Sequence, residues 1–156
     1  MTRRRLLSWV MLIAVFSAGC GVRPSGVIRG GPAPTGPAEG TPLYFLTGSS
    51  LTLVLRPKSR PLWPTQILTL LQNGPTDDER TANLTSEVPA GLDPVDVTTD
   101  ASGNVDVVVS ADVRTLSTTA VDQIVCTIRD AMPNTAAVTL TSGTASRGPL
   151  SCPLGR

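Results

Sequence analysis

The sequence predicts an α+β fold: a single small domain with a mostly antiparallel sheet and two main helices on one face. It follows a signal and lipidation segment and a disordered linker. Three observations carry this. Leu43 to Arg56 and Pro94 to Ser110 each contain two apolar-alternating runs broken by a short Gly/Ser/Asp turn, the pattern of a hairpin. Two other stretches place apolar residues at helical spacing instead. Everything before Leu43 has a different composition, first continuously apolar and then rich in Gly and Pro.

In the first hairpin, Leu43-Tyr44-Phe45-Leu46 and Leu51 to Arg56 flank the turn Thr47-Gly48-Ser49-Ser50. Pro57 and Pro61 end it, since proline cannot donate to a ladder. Trp63-Pro64 opens a helix with proline in its first turn. Trp63, Ile67, Leu70 and Leu71 share one helical face, so Trp63 is expected to anchor in the core. Gly74 is placed to stop this helix, and Pro75-Thr76 opens another. Glu79 stands three residues after Thr76, the spacing of a capping box. The second helix must be short, because Asn83 precedes Leu84 and asparagine tolerates the left-handed conformation of a helix end.

The second hairpin sets Val95 and Val97 against Val105, Val107 and Val109, with Asp100 to Asn104 as its turn. The odd-numbered valines are expected to face the helices and the aspartates water. Ser117, Thr118 and Thr119 offer N-caps for the last long helix, whose stripe is Val121, Ile124, Val125, Ile128 and Met132. Pro133-Asn134 stops it, and Thr135 to Thr141 is the final expected strand. The expected order is ββ-α-(short α)-ββ-α-β.

The 156 residues contain no histidine. The most common general base and zinc ligand is therefore missing, and Ser-His-Asp or Cys-His triads cannot be built from this chain alone. With two thiols outside the N-terminal segment, no metal site is expected. Of the aromatics, only Tyr44, Phe45 and Trp63 lie beyond the N-terminal segment, so the core must be mostly aliphatic.

Met1 to Arg5 carries three arginines, and Leu6 to Ala18 is apolar apart from two serines. That is short for a membrane span and suits a signal-peptide core. Ser17-Ala18-Gly19-Cys20 resembles a lipobox, with Ser17 where leucine is usual. The resemblance implies a lipoprotein signal peptide over 1–19, cleavage after Gly19, a diacylglyceryl thioether on Cys20, and an acylated new amino terminus. Thr2 to Leu7 also resembles a twin-arginine export signal. Residues 20–42 form the lipidated cysteine and a Gly/Pro-rich linker without apolar periodicity. As a coil this tether spans about 25 Å, and stretched in polyproline II about 70 Å. Removing residues 1–19 leaves 10 basic and 12 acidic side chains, a net charge of −2. With only Arg56, Lys58 and Arg60 clustered, no nucleic-acid partner is expected, nor binding to anionic lipid through charge.

Several pieces in order resemble the GerMN domain, the sporulation and spore-germination family. They are Leu43-Tyr44-Phe45, Leu51 to Arg56, Leu70-Leu71-Gln72-Asn73-Gly74-Pro75-Thr76 with Glu79, Leu84 to Pro89, Val105-Asp106-Val107, and Gln123 to Thr127. The most specific is the Leu-Leu-x-x-Gly-Pro-Thr-x-x-Glu run, which marks Gly74, Pro75, Thr76 and Glu79 as family-motif residues, structural or binding. Asn83 stands where the family usually has glycine, and Cys126 where an aromatic is common. The resemblance assigns 43–143 to a GerMN-like domain and leaves 144–156 as a C-terminal tail. It implies a non-catalytic module, ligand-binding or assembly-forming, of the kind found in actinobacterial envelope lipoproteins.

Cys126 lies about 140° from the Val121, Val125 and Ile128 stripe and is expected off the core face. Cys152 lies in the tail. An exported pair in an oxidising compartment favours a Cys126–Cys152 disulfide that ties the tail to the helix.

These readings converge on a non-enzymatic lipoprotein on the outer face of the cytoplasmic membrane. Its partners would be the bilayer, through the anchor, and an envelope protein or wall component. It would carry no cofactor beyond the acyl chains on Cys20. A wall-polymer hydrolase would have to use Asp77, Asp78 and Glu79, or Asp96 and Asp106. Acidic groups at a helix start complement its dipole, and alternating strand carboxylates form a solvated face, so no catalytic residue is assigned. A self-associating module is a third reading, because hairpin edges can pair with a neighbour.

Overall fold

The computed structural model describes residues 39–58 and 60–154. The expectations for the signal segment, Cys20 and most of the linker fall outside these residues. The chain order is β1 (Thr41–Thr47), β2 (Ser50–Arg56), α1 (Pro64–Gln72), α2 (Asp77–Thr81), β3 (Leu84–Thr85), β4 (Pro94–Thr99), β5 (Asn104–Val109), α3 (Thr118–Ala131), β6 (Ala137–Ser142) and β7 (Ala145–Leu150).

The α+β class holds, but the strands divide into two sheets where one was expected. One sheet has the order β2-β1-β3, the other β4-β5-β6-β7. All pairings are antiparallel except β5–β6, which α3 connects as a parallel crossover. Leu43 and Phe45 from the first sheet join Val105, Val107, Val138 and Leu140 from the second in one core with Leu68, Leu71, Ile124 and Ile128. As composition required, that core is almost wholly aliphatic.

Local signals placed the element ends well. Gly48, with φ of 61°, supplies the first turn position between β1 and β2, where a two-residue hairpin needs glycine. Gly74 has φ of 73° and donates its N–H to the Leu71 carbonyl at 3.0 Å, closing α1. Asn83 (φ 64°) and Asn134 (φ 72°) take the left-handed conformation after α2 and α3. Ser117 Oγ accepts from the Ala120 N–H at 3.0 Å and caps α3.

Long-range packing overturned five expectations. β1 begins at Thr41, inside the stretch assigned to the linker, and Thr41 is buried by pairing with Arg56. Trp63 does not anchor in the core: it sits at the N-cap of α1 and is 75 % exposed, while Ile67, Leu68 and Leu71 form the buried face. Val95 is also exposed, because a register shift between Pro94 and Asp96 breaks the alternation of β4. Cys126 is fully buried, because α3 packs against β1, β6 and α1 and every residue from Gln123 to Ile128 is enclosed. The tail is not a tail: Ala145–Leu150 forms β7 against β6, so the fold runs past residue 143.

Candidate functional site

The family-motif residues meet at one corner, where β2 ends and α1 turns into α2. Thr76 Oγ1 accepts from the Glu79 N–H at 3.3 Å, and Glu79 Oε2 accepts from the Thr76 N–H at 2.8 Å. The expected capping box is therefore formed. It holds more than its own helix. Arg56, 23 residues upstream, lays its guanidinium along the same carboxylate, with Nε donating to Oε1 at 3.0 Å and Nη2 to Oε2 at 2.6 Å. Nη2 also donates to the Gly74 carbonyl at 2.8 Å, and the guanidinium lies 5.2 Å from the centre of the Phe45 ring.

Gly74, Thr76 and Glu79 are thus bound to one another and to the last residue of β2, while Arg80 donates to the Pro75 carbonyl. The Arg56 and Glu79 side chains are 17 % and 16 % exposed. Arg56 holds the Glu79 carboxyl below its ordinary range, more strongly than burial opposes this, and the Thr76 N–H adds to the effect. A carboxylate kept ionised and neutralised in this way is a clamp. It is poorly matched to a general acid or base, whose pKa should lie near the working pH. The other candidate carboxylates do not join it: Asp77 pairs with Arg80, Asp96 accepts from the Val97 N–H, and Asp106 accepts from Thr141 Oγ1.

A second constellation lies on α3. Gln123 and Thr127, one turn apart and both buried, face the edge of β1 that β3 leaves uncovered. Gln123 Nε2 donates to the Tyr44 carbonyl at 2.8 Å, and Thr127 Oγ1 accepts from the Tyr44 N–H at 3.0 Å. Gln123 Oε1 also accepts from the Glu87 N–H at 2.9 Å. Two helical side chains take the place of a neighbouring strand and satisfy backbone groups that would otherwise be buried unpaired. In the sequence Gln123 belonged to the Gln123 to Thr127 family piece and was otherwise one of several polar residues in an amphipathic helix. The family piece was the available signal, since periodicity did not mark Gln123 as enclosed.

Beside this edge lies an open groove of about 440 Å³. Pro42, Leu53 and Leu55 form its apolar wall, and Arg129 and Asp130, near the end of α3, its polar wall. The polar wall is internally bonded. Tyr44 OH donates to Asp130 Oδ2 at 2.7 Å, and Arg129 donates to Asp130 Oδ1 at 2.7 Å and to the Tyr44 oxygen at 3.3 Å. Burial and the Asp130 hydrogen bond raise the Tyr44 pKa, so the phenol stays neutral. Cys126 and Cys152 form a disulfide, and Arg129 donates to the Leu154 carbonyl at 2.5 Å, so the segment after β7 is held to α3 at two points. Among the described residues no cluster of three or more Cys, Asp or Glu is placed to hold a metal ion.

The family model described as sporulation and spore germination, Germane, matches residues 42–143. Neither a curated protein nor a solved structure matches the chain. The matched span opens in β1 and includes the Arg56–Glu79 clamp and the Gln123–Thr127 pair, stopping just before β7. The chain belongs to the Germane family of sporulation and spore germination domains.

Proposed function

We propose that this chain is a lipid-anchored, non-enzymatic module of the cell envelope. Its Germane domain would bind an envelope protein or a wall component on the outer face of the cytoplasmic membrane. The observation that carries the anchor is Cys20 itself. It follows Ser17-Ala18-Gly19 at the end of an arginine-led apolar segment and precedes a Gly/Pro-rich stretch. Acylation there would leave a tether of some 20 residues before the first strand at Thr41. Two or three acyl chains hold a protein firmly to a bilayer, whereas one does so only marginally.

The non-enzymatic reading draws on the clamp. Motif residues bound to one another and to Arg56 are suited to shaping a surface, and Glu79 is held away from the protonation state an acid catalyst needs. No cofactor enters the proposal beyond the acyl groups on Cys20.

The test is intact-mass analysis and detergent partitioning of the exported protein beside Cys20→Ala. A diacylglyceryl mass with detergent-phase partition, both lost in the variant, is the expected result. An unmodified, water-soluble native protein would overturn the anchor. Turnover of purified wall polymer that disappears in a folded Glu79→Gln variant would overturn the non-enzymatic reading.

A further inference from the structure

The outer strands of the two sheets differ in how they are protected. A bare strand edge is a template for another chain, and proteins blunt such edges with short strands, prolines, bulges or charges. β3 is only two residues long. β4 begins at Pro94, is interrupted before Asp96, and has its Val97 N–H tied to the Asp96 carboxylate. β7 carries Pro149 and Arg147, and its ladder with β6 is irregular.

β2 has none of these devices except Arg56 at its very end. It pairs with β1 residue for residue from Ser50 to Arg56, with no shift, and among the described residues has no strand on its other side. Thr47 and Ser50 flank a two-residue turn and so exchange hydrogen bonds with each other. Alternation from there points the backbone N–H and C=O groups of Leu51, Leu53 and Leu55 away from β1. The same three leucines share one face, and Leu53 and Leu55 are 44 % and 36 % exposed.

We propose that the open edge of β2 pairs antiparallel with β2 of a second copy of this chain, about a two-fold axis through Leu53. The sequence Ser-Leu-Thr-Leu-Val-Leu-Arg is symmetric in its alternation about that residue. Leu53 meets its own counterpart, Leu51 meets Leu55, and Thr52 meets Val54, which continues one apolar ladder across both copies. Charge is compatible with this register: Arg56 falls opposite Ser50, and Glu79 already neutralises it. The joined sheet has the order β3-β1-β2-β2-β1-β3. A contact of about 7 residues per copy is far below the roughly 20–30 of a stable interface, so the pairing is weak in free solution. It gains from confinement of both copies to one bilayer. In that respect it rests on the proposed anchor.

The experiment is disulfide trapping in the processed full-length protein, in vesicles and in concentrated solution. A hydrogen-bonded antiparallel pair sets its Cα atoms about 5.5 Å apart, within disulfide range. Leu53→Cys alone should give a covalent dimer on mild oxidation, while Val95→Cys on the guarded β4 edge should not. Thr52→Cys should cross-link when mixed with Val54→Cys and not by itself. Leu53→Lys, which sets like charges on the axis, should keep the wild-type melting temperature and remove concentration-dependent sedimentation.

Failure of Leu53→Cys to cross-link on vesicles that demonstrably hold the protein in the detergent phase would overturn the pairing and leave the anchor standing. If the protein proves unanchored, the solution experiment decides alone: a Leu53 dimer supports the pairing and its absence overturns it. Equal trapping at Val95, or a Leu53 adduct to a different protein in place of the dimer in whole membranes, would also overturn it.

Discussion

Gln123 offers the most searching test of how this domain is held together. Its side chain is completely buried, and it bonds to the Tyr44 carbonyl, the Glu87 N–H and the Ser86 hydroxyl. In Gln123→Leu the apolar volume is kept while the Tyr44 carbonyl and the Glu87 N–H lose their partner. An enclosed backbone group left unsatisfied costs about 1–3 kcal/mol. Tyr44 sits at 4 % exposure and bears the full penalty, whereas the Glu87 N–H is only part-buried and can recover some from water. The sum is about 2–4 kcal/mol, which lowers the melting temperature of a domain this size by about 10–20 °C.

Urea unfolding of the oxidised protein measures this directly, as a fall in midpoint at unchanged slope. Thr127→Val removes the acceptor of the Tyr44 N–H from the same edge and should cost about 1–3 kcal/mol. Gln123→Glu adds a signature that packing alone cannot produce. Its carboxylate has no donor for the Tyr44 carbonyl, so its deficit should shrink in acid, where the protonated group regains one. A loss below about 1 kcal/mol in both Gln123→Leu and Thr127→Val would refute the reasoning, because the β1 edge would then not depend on α3 for its hydrogen bonds.

Thr76→Ala should cost about 1 kcal/mol through loss of the cap to Glu79, read as a lower thermal midpoint. The folded pKa of Glu79 lies below its unfolded value, so its contribution is complete above about pH 4.3 and is lost as pH falls from there through the folded value. Stability plotted against pH should therefore fall on the acid side in wild type and less steeply in Glu79→Gln. Reducing Cys126–Cys152, whose loop spans 26 residues of separation, should cost about 3–4 kcal/mol by the chain-entropy model, measured as the shift in urea midpoint on adding reductant.

Features governed by neighbours within a turn or two were legible in the sequence. The Thr76–Glu79 box, the stop at Gly74, the left-handed Asn83 and the hairpin turns each depend on backbone groups three or four residues away. Both hairpins and the three helices of the described residues could be placed on those grounds, together with apolar periodicity. The Cys126–Cys152 pairing was expected from the proposed export, since two thiols in an oxidising compartment would leave one intramolecular choice if Cys20 is acylated, and the two cysteines are bonded.

The tertiary structure alone decided which strands share a sheet, that Trp63 faces outward, and that residues 145–150 add a strand. It also decided that Glu79 answers to Arg56 and Gln123 to Tyr44, across sequence separations of 23 and 79 residues. The physical reason is the same in each case. A helix cap is satisfied by the chain beside it, but an open strand edge or a half-neutralised carboxylate takes whatever partner the fold brings near. Periodicity records which face of an element is apolar. It does not record which distant backbone that face will meet.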